Sequence, residues 1–262
     1  MKILHEILQM TPEYRDISAA CAKGALPGCV TGLAAVHKAN LMAALATQFG
    51  RNMLVIAADE AEAQRMCADL AQMGRKPMVY PYRELVFRNM ESHSREYERQ
   101  RLSALSAVMT GEADAIVCCI DAALQVTIPP EELKKRTAIV RTGAAQSPDT
   151  LVQALASAGY ERAGQVEGEG QFARRGGIVD FFAPGMKAPV RVEFWGDEID
   201  SASYFDPDTQ RRTEPADELR LSPSVEAVVD DANELAAKIR KLAGSLRGRT
   251  AEKAKNILME EA

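Results

Sequence analysis

Apolar residues along this chain fall into short unbroken runs separated by stretches in which they recur every three or four positions. Met53-Leu54-Val55-Ile56-Ala57-Ala58, Met78-Val79-Tyr80 and Ala115-Ile116-Val117-Cys118-Cys119 predict buried strands, with Pro27 to Thr31 a shorter fourth. Between them, Ala39 to Phe49, Ala61 to Met73 and Arg95 to Met109 carry helical spacing, the last with Ser94 as its N-cap. Strands alternating with helices predict an α/β domain built on a doubly wound parallel sheet.

The pattern then changes. Thr137 to Gly143 reads as a strand, and Ser147 caps a helix from about Asp149 to Ser157 with Gly159 as its stop. Ile178-Val179-Asp180-Phe181-Phe182 and Val190-Arg191-Val192-Glu193-Phe194 are strand-like. They are bounded by the turn formers Gly176-Gly177, Ala183-Pro184-Gly185, Gly196-Asp197 and Asp206-Pro207-Asp208. These elements predict a small α+β domain. Beyond them, a helix is expected from Asp230 to about Leu242, ended by Gly244 or Gly248, with a second beginning at Thr250.

At 262 residues, 47% hydrophobic and 26% charged, the chain has the make-up of a soluble globular protein. The amino terminus lacks the pattern of an export signal and no apolar run is long enough to span a bilayer, so a cytoplasmic location and no membrane partner are expected. Five cysteines without CxxC spacing are expected to be reduced core residues. A net charge of −5 argues against a protein whose main task is to wrap nucleic acid.

In an α/β fold the first strand-to-helix turn is where phosphates bind, and here it reads Val30-Thr31-Gly32-Leu33-Ala34-Ala35-Val36-His37-Lys38-Ala39. Against the phosphate loop G-x-x-x-x-G-K-[ST], Gly32 and Lys38 match, but His37 replaces the second glycine and Ala39 the hydroxyl residue. Histidine crowds the loop and alanine offers magnesium no ligand, so a degenerate phosphate loop without ATP hydrolysis or a cofactor is expected. The acidic run Glu193, Asp197, Glu198 and Asp200 has no histidine or nucleophile beside it and is expected to be a solvated turn, with no metal and no catalytic residue.

Four arginines, Arg162, Arg174, Arg175 and Arg191, sit on or beside apolar strands where a structural sheet would prefer threonine or valine. The planar fork of arginine captures carboxylates bidentately and is enriched at protein interfaces, which points to a binding face. The plainer alternative is a solvated strand face.

The run Gln171-Phe172-Ala173-Arg174-Arg175-Gly176-Gly177-Ile178-Val179-Asp180-Phe181-Phe182, followed by Val190 to Asp200 and Phe205-Asp206-Pro207, resembles the module shared by bacterial transcription-repair coupling factors and the excinuclease B subunit. The resemblance implies a degenerate P-loop, helicase-like domain over residues 1–130, an inserted α+β domain over 131–210 and a helical segment, 211–262, that completes the first domain. In excinuclease B the connection after the third strand carries a long aromatic hairpin, for which the segment after Val79 has no room. With both that hairpin and an intact phosphate loop missing, the chain is similar to the amino-terminal module of a coupling factor.

The resemblance further implies a non-catalytic role in nucleotide excision repair, with the inserted domain binding the excinuclease A subunit. The docking arginines of the family fall on Arg162 and Arg175. A third falls on Ala173, a departure for which Arg174 is a neighbouring substitute, while Phe172 and Phe182 are either apolar anchors or core. RNA polymerase and DNA are expected to engage only other domains of the full-length translocase. Two alternatives stand beside this one: an ATP-dependent excinuclease B-like damage-binding subunit, and an autoinhibitory module that packs on carboxy-terminal domains of its own protein.

Overall fold

The computed structural model describes residues 2–25, 27–83, 95–229 and 231–247, together with residues 252, 255 and 256. The chain divides into two units, Met1–Glu226 and Ala227–Ala262. The first opens with helices α1 (Lys2–Gln9), α2 (Pro12–Lys23) and α3 (Ala35–Phe49). Strand β1 (Met53–Ala57), α4 (Glu60–Gln72), β2 (Pro77–Val79), α5 (Glu96–Thr110) and β3 (Ala115–Cys119) follow.

The three strands form a parallel sheet in the order β1-β3-β2, with Val55 level with Val117 and Pro77 level with Ala115. Small residues let helices approach one face closely: Ala39, Ala43 and Ala63 pack with Leu70, Met66 and Val117. On the other face Ala104 of α5 meets Cys118, Cys119 and Tyr80. Helix α4 starts where Asp59 accepts the Glu62 amide at 2.7 Å while the Glu62 carboxylate accepts the Ala58 amide at 3.0 Å, satisfying two otherwise orphan donors.

One expected strand is absent. Residues 27–31 are irregular, so no strand precedes α3 among the described residues. Pro27 has no amide proton to give a ladder and Gly28 no side chain to pack, and the short apolar run does not overcome both. The Ser94 cap and the segment 84–94 lie outside the described residues, as does most of the helix expected from Thr250.

Short helices α6 (Ile120–Ala123) and α7 (Pro130–Lys135) lead to β4 (Ala138–Arg141) and α8 (Pro148–Ser157). Ser147 caps α8 by accepting the Thr150 amide at 3.2 Å, and Gly159 ends it with φ of 82°. Then come β5 (Glu161–Arg162), β6 (Gln171–Arg175), β7 (Ile178–Phe181), β8 (Val190–Trp195), β9 (Glu198–Phe205), β10 (Arg212–Pro215) and β11 (Glu218–Leu221). Strands β5 to β10 make a six-stranded sheet in sequence order, antiparallel except where β5 runs parallel to β6. Strand β11 pairs with β4, Leu221 opposite Ala138. Residues 212–221, expected within a helical segment, are therefore two strands. The second unit contributes α9 (Ala232–Ser245), capped by Asp231, which accepts the amides of Asn233 and Glu234.

The largest core lies under the six-stranded sheet, where Phe172, Phe181, Val190 and Ile199 pack against Leu151 and Leu155 of α8 and Leu219 and Leu221 of β11. Tyr160 is buried there and its hydroxyl donates to the Ser222 carbonyl at 2.7 Å. Burial drives its phenol upward, so the hydroxyl keeps its proton across the ordinary pH range. Tyr160→Phe leaves that carbonyl unsatisfied and is expected to cost about 1–3 kcal/mol in chemical denaturation; a loss below a few tenths of a kcal/mol would mean the bond contributes nothing.

A buried polar cluster ties α5 to the residues that follow β11. Arg101 is fully buried and donates to Glu226 at 2.8 Å and to the Pro81 carbonyl and Gln125 at 3.0 Å, with its guanidinium 4.1 Å from the centre of the Tyr80 ring. Glu226 also accepts from Thr127 at 2.9 Å and pairs with Arg83 at 2.8 Å.

Candidate functional site

The register of the six-stranded sheet sorts its residues onto two faces. Phe172, Phe181, Val190 and Tyr204 form one cross-strand row, and Arg174, Val179, Val192 and Ala202 the next; these rows face α8 and the core. The opposite face carries Ala173, Asp180, Arg191 and Ser203 in one row and Arg175, Ile178, Glu193 and Ser201 in the next. Trp195 and Glu198 close it at the end of the β8–β9 hairpin. Alternation along each strand is what separates the adjacent residues Arg174 and Arg175.

Asp180 is the organising residue of the open face. It is 1% exposed although it sits mid-sheet, and a buried carboxylate is tolerated only when paired. Arg191 supplies a bidentate pair, Nε to Oδ1 at 2.8 Å and Nη2 to Oδ2 at 2.9 Å, and Arg175 adds a third bond to Oδ2 at 2.6 Å. Arg191 is further held by the carbonyl and side chain of Gln210, at 3.2 and 3.1 Å, and lies 4.7 Å from the centre of the Phe205 ring. Its hydrogen bonds to Asp180 raise its pKa further, so it stays cationic. Arg175 differs: its side chain is 51% exposed, so one Nη is fixed by Asp180 while the rest of its fork faces solvent. Two arginines on one aspartate leave a net positive charge oriented outward.

The other expected site residues scatter. Arg174 pairs with Asp149 in the first turn of α8, and its hydrogen bonds hold the Asp149 carboxyl below its ordinary value. It therefore stands on the helix side, on the opposite face from Ala173. Phe172, 3% exposed, is core rather than an anchor. Phe182 is half-buried against Val166, Ala173 and Phe205 beside the open face. Arg162 is exposed at the edge of the sheet, level with Phe172.

Gly32 has φ of 80° in the irregular stretch before α3; His37 and Lys38 are exposed in the first turn of that helix, and Ala39 is fully buried against α4. Ala34 gives α3 no side-chain cap. A methyl buried in the core cannot ligate a metal where a hydroxyl would be needed. Of the acidic run, Glu193 pairs with Arg212, and among the described residues no cluster of three or more His, Cys, Asp or Glu could hold a metal ion. No described helix is long and apolar enough to cross a membrane.

The sequence alone places Arg191 among four strand arginines of a binding face, not as the partner of a buried carboxylate, and does not single out Asp180. The available signal was a carboxylate in the middle of Ile178-Val179-Asp180-Phe181, a strand otherwise apolar.

Residues 139–226 match the family model of the UvrB interaction domain. The chain is similar to the transcription-repair-coupling factor of Bacillus subtilis (strain 168), 29% identical over 264 residues that cover 98% of this chain and 22% of that protein. It is likewise 29% identical to that of Escherichia coli (strain K12) over 226 residues, 85% of this chain and 19% of that protein. The factor of Staphylococcus aureus (strain USA300) is 24% identical over 233 residues, 88% of this chain and 20% of that protein. The chain thus spans about a fifth of the length of the curated relatives it matches.

Proposed function

We propose that this chain, which carries a UvrB interaction domain and is related along nearly its whole length to transcription-repair-coupling factors, is a recruitment module of nucleotide excision repair. In this reading it is the amino-terminal module of such a factor, working in the cytoplasm, and the open face of its six-stranded sheet docks onto the excinuclease A subunit. The observation that carries the reading is Asp180, buried mid-sheet, aiming Arg175 into solvent on the face opposite α8. An exposed guanidinium held in one orientation loses little side-chain freedom when it meets a carboxylate, which suits it to a hot spot. Arg162 at the sheet edge and Phe182 beside the face extend the docking set. The docking domain is taken to run from β4 to Glu226, since β11 closes on β4 and the family match ends there.

Calorimetric titration with purified excinuclease A subunit tests the reading: saturable one-to-one heat is expected, and a flat titration would overturn it.

The layer of α3, α4, α5 and the parallel sheet is read as a degenerate helicase-like scaffold that neither binds nor hydrolyses ATP. A ligand at a hundredfold its Kd stabilises the native state by about 2.7 kcal/mol. No rise in Tm is therefore expected with millimolar ATP and magnesium, and a reproducible rise would restore a nucleotide site to the loop around Gly32 and Lys38.

A further inference from the structure

We infer that Trp195, at the tip of the β8–β9 hairpin, is the apolar anchor of the docking face and that it enters a pocket on the same partner that receives Arg175; this rests on the docking reading above. Trp195 is the chain's only tryptophan and is 83% exposed. A large aromatic so displayed is where an interface draws most of its apolar energy, because it buries a wide area while fixing only two torsions. Its place is set by the fold. Gly196, with φ of 61°, makes the tight turn, and Trp195 lies level with Glu198 on the same face as Arg175 and Ile178, one row further out.

The two hairpin tips are neighbours, since the Phe194 amide donates to the Gly177 carbonyl at 2.9 Å. The indole and the exposed arginine therefore stand at one end of one face, and aromatic and arginine side chains together are the composition that distinguishes interface cores.

Charge defines the occupant further. Asp197, Glu198 and Asp200, all exposed, follow Trp195 around the hairpin turn, with Glu198 level with it, whereas Arg175 and Arg191 make the adjoining region positive. The complementary surface is an apolar pocket with a lysine or arginine rim, flanked by a carboxylate that takes Arg175. A partner of the opposite layout meets like charge at both points.

The test uses the whole chain labelled with 5-fluorotryptophan, which gives a single fluorine resonance because there is one tryptophan. Titration with purified excinuclease A subunit is expected to shift and broaden that resonance, and Trp195→Ala is expected to weaken binding at least tenfold with an unchanged circular dichroism spectrum. A resonance that does not move and an affinity within twofold, while Arg175→Ala does lose binding, would overturn this inference and leave the docking reading standing. No binding by the unsubstituted chain would overturn both.

Discussion

Glu226→Gln is expected to lower the unfolding free energy by about 3–5 kcal/mol, the usual result of removing one partner of a buried ion pair. Arg101 is fully buried, so without the carboxylate its guanidinium charge is left with only carbonyl and amide oxygens and the face of Tyr80. Glutamine keeps the shape and one acceptor, so the loss reports charge rather than volume. Urea denaturation of the two proteins, compared at equal m-value, measures it. A companion variant, Arg101→Met with Glu226→Gln, should recover part of the loss because both charges are gone. A single-variant loss below about 1 kcal/mol would mean that the carbonyl and amide oxygens around Arg101 suffice for its buried charge.

Arg175→Ala is expected to weaken docking on the excinuclease A subunit by about 2–4 kcal/mol while leaving the fold nearly unchanged. The contrast follows from how Asp180 is held. Arg191 binds both its oxygens, so the aspartate stays paired when Arg175 is removed, and the half-exposed Arg175 contact contributes less than about 1 kcal/mol to folding. Arg191→Ala would lack that separation: it strips Asp180 of its bidentate partner and uncovers the Phe205 ring. Calorimetric titration beside thermal unfolding reads both quantities, and equal affinities for variant and wild type would remove Arg175 from the face.

Much of this architecture is legible in the chain because its signals are local. The runs at Met53 and Ala115 are apolar on every residue, the mark of a parallel-sheet strand, although only β3 is covered on both faces and β1 leaves Leu54 and Ile56 exposed, and the cap at Ser147 and the stop at Gly159 bracket α8 where expected. The run at Pro27 is weaker, with only Cys29 and Val30 apolar in five residues, and it begins with the two types a strand tolerates least. Strand β11 is visible in principle, since Glu218-Leu219-Arg220-Leu221 alternates with period two and buries every second residue; the helical segment that the resemblance implies over 211–262 passes over it. The candidate site divides along the same line. That strand arginines mark a face can be read from their residue type, whereas which arginine is free depends on register and on Asp180, several residues away. The partner of Arg101 lies 125 residues downstream, a distance across which no local pattern carries information.

The position of Glu226 also sets where mechanical load enters this fold. Leu221 and Ala138 form the terminal rung of the β11–β4 ladder, so tension arriving from the carboxy-terminal side would, by itself, peel that ladder one rung at a time, the weak direction for an antiparallel pair. Glu226 intercepts the pull five residues earlier and passes it through Arg101 into the body of α5, across several charge-assisted bonds stressed together rather than in succession. A pull at this point is thus resisted before the β11–β4 pair begins to unzip.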